Sequence, residues 1–368
     1  MTDQRVQNFA RILVEYSTQV KPGDKVGITS TTAAEPLLRE LLALILENGG
    51  YPHLLLDIAD QEELYYRHAQ ENQLEFTSLL HQKVFEEFDV LIKVRAETNT
   101  RALTSVPASR QAARQKATSR LIGAQMRRGA SGELRWMSTQ FPTPAYAMEA
   151  EMGFQAYQDF FYQACHADGS TDPVVYWRGI QARQQQIIDH LQGGNQVTVR
   201  GPHVDLSLSV KDRTFLNACG IHNLPDGEIY TGPVENSAVG WVHYTYPAMY
   251  SGKIVRGIEL KFENGRVVEA KAAENEDLLL HMLEMDAGAR YLGEFAIGTN
   301  YEIDRFTKSI LFDEKIGGSF HMALGASYPE TGGRNTSMIH WDMICDLRQD
   351  SEIRVDGELI YCDGQFTV

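Results

Sequence analysis

KPGDKVGITSTTAAEPLLRELLALILENGGYPHLLLD, residues 21–57, decides the fold class of the first half of the chain. Lys21-Pro22-Gly23-Asp24 is a turn, and Lys25 to Ser30 (KVGITS) reads as a short buried strand. Glu35 to Asn48 is Leu-rich at helical spacing and stops at Gly49-Gly50, where glycine enters the left-handed conformation at little cost. Tyr51 to Asp57 (YPHLLLD) is then a second strand. Strand, helix and strand in so short a run form a right-handed βαβ unit, which makes the two strands parallel.

Outward from this unit the pattern continues. Upstream, Val6, Phe9, Ala10, Leu13 and Tyr16 recur at helical spacing and predict an opening amphipathic helix. Downstream, Asp89 to Val94 (DVLIKV) is a third strand. Residues 1–190 are therefore expected to form an α/β domain around a mostly parallel sheet. Its first strand runs into Thr29-Ser30-Thr31-Thr32-Ala33-Ala34, with neither GxGxxG nor GxxxxGK[ST], so a phosphate-binding role is set aside for scaffolding or substrate gating.

Val174 to Leu191 predicts another helix, after which the period changes to two. Gln196 to Val199 and Val204 to Val210 (VDLSLSV) alternate apolar and polar residues. Gly257 to Phe262 and Val267 to Ala273 flank Asn264-Gly265, the signature of a type I′ hairpin. Residues 191–368 are expected to be an α+β domain rich in antiparallel strands.

The bulk properties narrow the function classes. The 368 residues are 43% hydrophobic and 23% charged, a soluble globular composition. No apolar run approaches the ~20 residues that span a bilayer, and the N-terminus lacks the uninterrupted apolar core of a signal peptide. The expected location is cytoplasmic, with Cys165, Cys219, Cys345 and Cys362 as reduced thiols. A net charge of −15 argues against nucleic acid, whose phosphates are bound mainly by Lys and Arg. The one basic stretch, Arg110 to Arg128, reads as a solvated helix face.

The chemistry-bearing residues concentrate between Phe312 and Asp346: FDEKIGGSFHMALGASYPETGGRNTSMIHWDMICD. In an extended segment residues i and i+2 share a face, so His340 and Asp342 converge while Trp341 packs behind them. An imidazole and a carboxylate so placed are half of a metal site. His321, after the Gly317-Gly318 turn, returns to the same place through a hairpin. Glu228 and Glu294 are acids inside apolar, glycine-rich surroundings, where an unpaired carboxylate costs several kcal/mol and so implies a counter-charge or metal.

Together, Glu228-Ile229-Tyr230-Thr231-Gly232-Pro233, the Glu294 segment, and the ordered series Asp313-Glu314-Lys315, His321 to Gly325, Tyr328-Pro329 and His340-Trp341-Asp342 resemble the thermophilic aminopeptidase family of the T/S type. The resemblance covers most of the C-terminal half. It implies an α/β N-terminal domain, a distinct metal-binding C-terminal domain and a homodimer. It also implies two divalent ions (zinc, cobalt or manganese) held by Glu228, Glu294, His321, His340 and Asp342, with Glu294 bridging. Tyr328 matches the family's active-site tyrosine, and the substrates implied are peptides with a free N-terminus. Glu314 is the best spare carboxylate for a general base, with Glu294 as the alternative. One departure is the short stretch between Tyr328 and His340, which bears on the shape of the substrate pocket.

Two other readings compete. His321, His340 and Asp342 alone have the make-up of the facial triad of a non-haem iron ring-cleaving dioxygenase, but that site has no use for Glu228 and Glu294. A non-catalytic scaffold of the same fold would have no need of the complete donor set. Nucleophilic catalysis lacks a GxSxG, and Cys345 in Met343-Ile344-Cys345 reads as a small core residue.

Overall fold

The computed structural model of the chain describes residues 3–250 and 252–368. The chain divides into two compact units, Met1–Arg178 with Gly220–Pro225, and Gly179–Cys219 with Asp226–Val368. In the first unit five strands form a wholly parallel sheet. Their order is Tyr51–Asp57, Lys25–Thr31, Val90–Arg95, Arg135–Gln140 and Asn223–Leu224. The helix Glu35–Glu47 returns the chain between the first two, burying Leu37, Leu38, Leu41 and Ile45 along one stripe. Its stop is as expected, with Gly49 at φ +78°.

The opening helix is α-helical only over Gln4–Arg11 and becomes a π-helix over Ile12–Ser17. Ile12, Leu13 and Val14 are all buried, as are Asn8, Phe9 and Ala10 before them, so the element is enclosed on more than one stripe. The strand Arg135–Gln140 was not legible from its sequence, RWMSTQ, because buried polar groups serve it. Thr139 Oγ1 donates to Leu224 O at 2.5 Å and Gln140 Nε2 to Tyr157 Oη at 2.7 Å. Among the described residues no helix is long and apolar enough to cross a membrane.

The second unit is rich in antiparallel strands. An eight-stranded sheet contains the expected pairs Gln196–Gly201 with Val204–Ser209 and Glu259–Glu263 with Arg266–Lys271. Asn264 and Gly265 join the latter pair with φ of +49° and +80°, the left-handed pair a type I′ turn demands. A five-stranded sheet runs in the order His340–Asp346, Ser319–Gly325, Leu292–Gly298, Glu228–Thr231 and Leu216–Ala218.

Alternation along that second sheet separates two layers. Ile229, Phe295, Ile297, Phe320, Met322, Leu324, Trp341, Met343 and Cys345 point into one apolar cluster with Val197, Val199, Leu206, Leu208, Leu260 and Phe262 of the larger sheet. The other face of the same strands carries Glu228, Glu294, His321, His340 and Asp342. The core thus fixes the strands whose opposite side holds the candidate chemistry.

Candidate metal centre

Each candidate donor on the polar face sits opposite a small residue. His340 pairs with Gly325, and Asp342 with Ala323. Glu294 also pairs with Ala323, and His321 with Ala296. Glu228 lies between Gly298 and Ala218. On these sides small partners leave room for the longer acidic and imidazole side chains to converge, while on its other side His321 pairs with Ile344.

Glu294 reaches this face through an irregularity. Leu292 pairs with Leu324, yet Glu294 pairs with Ala323, so the register shifts by one residue at Gly293. In a regular ladder Leu292 and Glu294 would point the same way, into the apolar layer. The bulge turns Glu294 over. Only glycine fits there, because a Cβ on Gly293 would run into the carbonyl oxygens of Gly325 and Ala326.

The polar groups form two overlapping clusters. Glu294, His340 and Asp342 bring one donor atom each within 4.8 Å of one another, and so do Glu314, His321 and Asp342. In the first, His340 Nε2 lies 3.1 Å from Glu294 Oε2 and 3.4 Å from Asp342 Oδ1. Its Nδ1 is 2.8 Å from Ala326 O, so Nδ1–H donates to that carbonyl and Nε2 is left facing the carboxylates. In the second, His321 Nε2 is 3.5 Å from Glu228 Oε2.

Electrostatics bind these groups together. Burial works against charge on His340, but Asp342 and Glu294 outweigh it and push its pKa up to about 12. Asp342 is opposed by its own burial and held by His340 at about 2. Burial raises Glu228 well above the ordinary carboxylate range, against the pull of Lys315. It raises Glu314 as well, again with Lys315 opposing.

Lys315, only 1% exposed, was quoted in the sequence motif but given no role there. Its Nζ lies 2.5 Å from Glu228 Oε1, 2.7 Å from Glu314 Oε1 and 3.7 Å from Asp226 Oδ1. No local signal marks it, because two of its three carboxylate partners, Asp226 and Glu228, are distant in sequence. Glu314 was expected as a spare base. It lies close enough to His321 and Asp342 to serve equally as a donor to an ion. Tyr328 stacks edge-on to His340, ring centroids 5.2 Å apart, and to Tyr230 at 5.6 Å. Burial and the neighbouring carboxylates raise its pKa, so it stays a hydrogen-bond donor.

These residues suit divalent ions. Glu228 Oε2, His321 Nδ1 and Asp342 Oδ1 are buried with no hydrogen-bond partner. Buried polar atoms are normally satisfied, and an orphaned set of oxygen and nitrogen donors fits a divalent metal ion.

The profile of the thermophilic metalloprotease (M29) family matches residues 2–366. The chain belongs to that family. Among M29 relatives, aminopeptidase 2 of Geobacillus stearothermophilus is 24% identical over 396 residues, covering 96% of this chain and 94% of the relative. Aminopeptidase T of Thermus aquaticus is 27% identical over 395 residues, covering 97% and 95%. The solved structure of AmpT from Thermus thermophilus superposes with a TM-score of 0.86 at 21% identity, covering 99% of each chain. The fold, though not the sequence, also resembles 2,5-dihydroxypyridine dioxygenase from Pseudomonas putida KT2440. There the TM-score is 0.59 at 12% identity, covering 100% of this chain and 98% of that one.

Proposed function

We propose that this M29 metalloprotease is an aminopeptidase that removes N-terminal residues from peptides at a two-metal centre. The observation that carries the reading is the convergence of Glu228, Glu294, His321, His340 and Asp342 on one face of one sheet, with buried donor atoms left unpartnered. When bound, two ions would polarise the scissile carbonyl, lower the pKa of an attacking water and receive the free amine of the substrate.

The protein's own groups do the rest. Glu294, beside His340 and Asp342, would be the carboxylate shared between the ions, with Asp342 common to both clusters of donors. Glu314, with one oxygen held by Lys315, would accept the proton of the attacking water. Tyr328 over His340 donates a hydrogen bond to the oxyanion that forms. In this reading the parallel-sheet unit is a scaffold that gates substrate, the protein works in the cytoplasm, and its assembly is a homodimer.

The test is release of the first residue from an unblocked Leu-peptide, with the N-acetylated peptide as control, after metal-free protein is reloaded with Zn²⁺, Co²⁺ or Mn²⁺. Cleavage of the free-amine peptide alone, restored by metal and abolished in Glu294→Ala, is the expected result. Folded, metal-binding protein that cleaves nothing would sink the proposal. The weight would then move to the iron dioxygenase, read by oxygen uptake with Fe²⁺.

A further inference from the structure

Lys315 is a buried ammonium just beyond the short helix Ile310–Asp313, and its ion pairs gather on one side of the centre. It takes Oε1 of both Glu228 and Glu314. Glu228 Oε2 remains, unpartnered, 3.5 Å from His321 Nε2. The direct ion pairs of Lys315 are with Glu228, Glu314 and Asp226, and its charge also reaches Asp342, which the two clusters share. So the carboxylates on the Glu228–His321–Glu314 side already have a fixed cation. On the other side the cation facing Glu294 and Asp342 is His340, which gives up its proton when an ion binds, whereas Lys315 keeps its charge.

We infer that Lys315 is a positioning residue that ranks the two metal positions. Glu294, His340 and Asp342 take the first ion, and the Glu228–His321–Glu314 side fills second and more weakly. The inference rests on the metal-centre reading above.

Charge supports it. Asp226, Glu228, Glu294, Glu314 and Asp342 carry five negative charges when ionised, and Lys315 with two divalent ions would carry five positive ones. The lysine therefore limits the cluster to two ions and makes the second face a like charge that shares its carboxylates.

Two effects of removing Lys315 oppose each other. Losing a partner that orients a metal-binding carboxylate typically costs about 10- to 100-fold in affinity. Relieving repulsion between a single and a double charge a few ångströms apart gains roughly a thousandfold or more at an effective dielectric of about 20. Repulsion is the larger, so the second ion should bind more tightly without the lysine.

The experiment is a Zn²⁺ titration of the metal-free full chain by calorimetry with a competing chelator, with no peptide present. Wild-type protein should bind two ions with affinities at least about tenfold apart. Lys315→Met should tighten the weaker step by about tenfold or more and leave the tighter one within about threefold. Lys315→Gln should do the same and serves if the Met variant fails to fold. A purely structural lysine would move both steps together. Two equal steps in the wild type, or a weaker second step in the variants, would overturn the inference and leave the metal centre standing. A wild-type chain that binds no zinc would overturn both.

Discussion

Glu294 and Asp342 stand on strands that are not neighbours, yet both are register partners of Ala323 on the strand between them. Their carboxylates come within 4.8 Å across that single methyl group. The size of residue 323 therefore sets whether the two acids can share an ion.

Ala323→Val tests this directly. The site is fully buried, so the added methyls should cost about 1–3 kcal/mol of stability through overpacking. They should also lower zinc affinity by tenfold or more, because they intrude between Glu294 and Asp342. Calorimetric zinc titration and thermal melts measure the two effects. Unchanged zinc affinity in a variant with a lowered Tm would show that the space above Ala323 is not where an ion sits.

Metal binding should be strongly pH-dependent. His340 is raised to about 12 in the metal-free protein, so at neutral pH an ion must displace its proton. Affinity should fall about tenfold for each pH unit, or about 100-fold from pH 8 to pH 6. Titrations in buffers of different ionisation enthalpy count the proton released, and a release near zero contradicts this arrangement. The same pKa values predict the stability of the metal-free fold. The contribution of His340 is full below its unfolded value of about 6.5 and is lost as pH rises toward 12. That of Asp342 is full above 3.8 and is lost as pH falls toward about 2.

Lys93 in the parallel-sheet unit is held at about 8, by burial first and then by the charge of Arg95. It donates to Gln125 Oε1 at 3.0 Å and stands 5.3 Å from the Trp136 ring centroid. Its lowered value means the folded state disfavours the ammonium. The cost is full below pH 8 and is relieved as pH rises toward 10.5. At about 1.4 kcal/mol per unit the cost is about 3 kcal/mol at pH 7, offset by the hydrogen bond to Gln125, worth about 1–2 kcal/mol. Lys93→Met should therefore be about 1–2 kcal/mol more stable at pH 7 and lose the advantage near pH 10.5. Urea unfolding at both pH values decides it, and a destabilised variant at pH 7 would reverse the assignment.

The sequence carried much of this. Residues 21–57 showed the parallel βαβ unit because their apolar runs and Gly49-Gly50 act locally. His340-Trp341-Asp342 showed a shared face because period-two alternation is regular in that strand. Glu294 illustrates the limit. Counted from Leu292, alternation sends it into the apolar layer, and only the one-residue shift at Gly293 turns it toward His340. Such a shift is set by the partner strand, which no local pattern records. Lys315 was hidden for a related reason. Its three carboxylate neighbours include Asp226 and Glu228, which are distant in sequence, so its burial is legible only once the chain has folded.

The two-faced sheet has a consequence for how this architecture changes over time. Nine apolar residues on one side hold the strands, and the donors project from the other, so a donor can be exchanged without disturbing the packing beneath it. Core packing and chemistry can then drift separately. A sheet of this kind is a reusable workbench, on which different sites can be assembled by altering a few projecting side chains while the foundation persists.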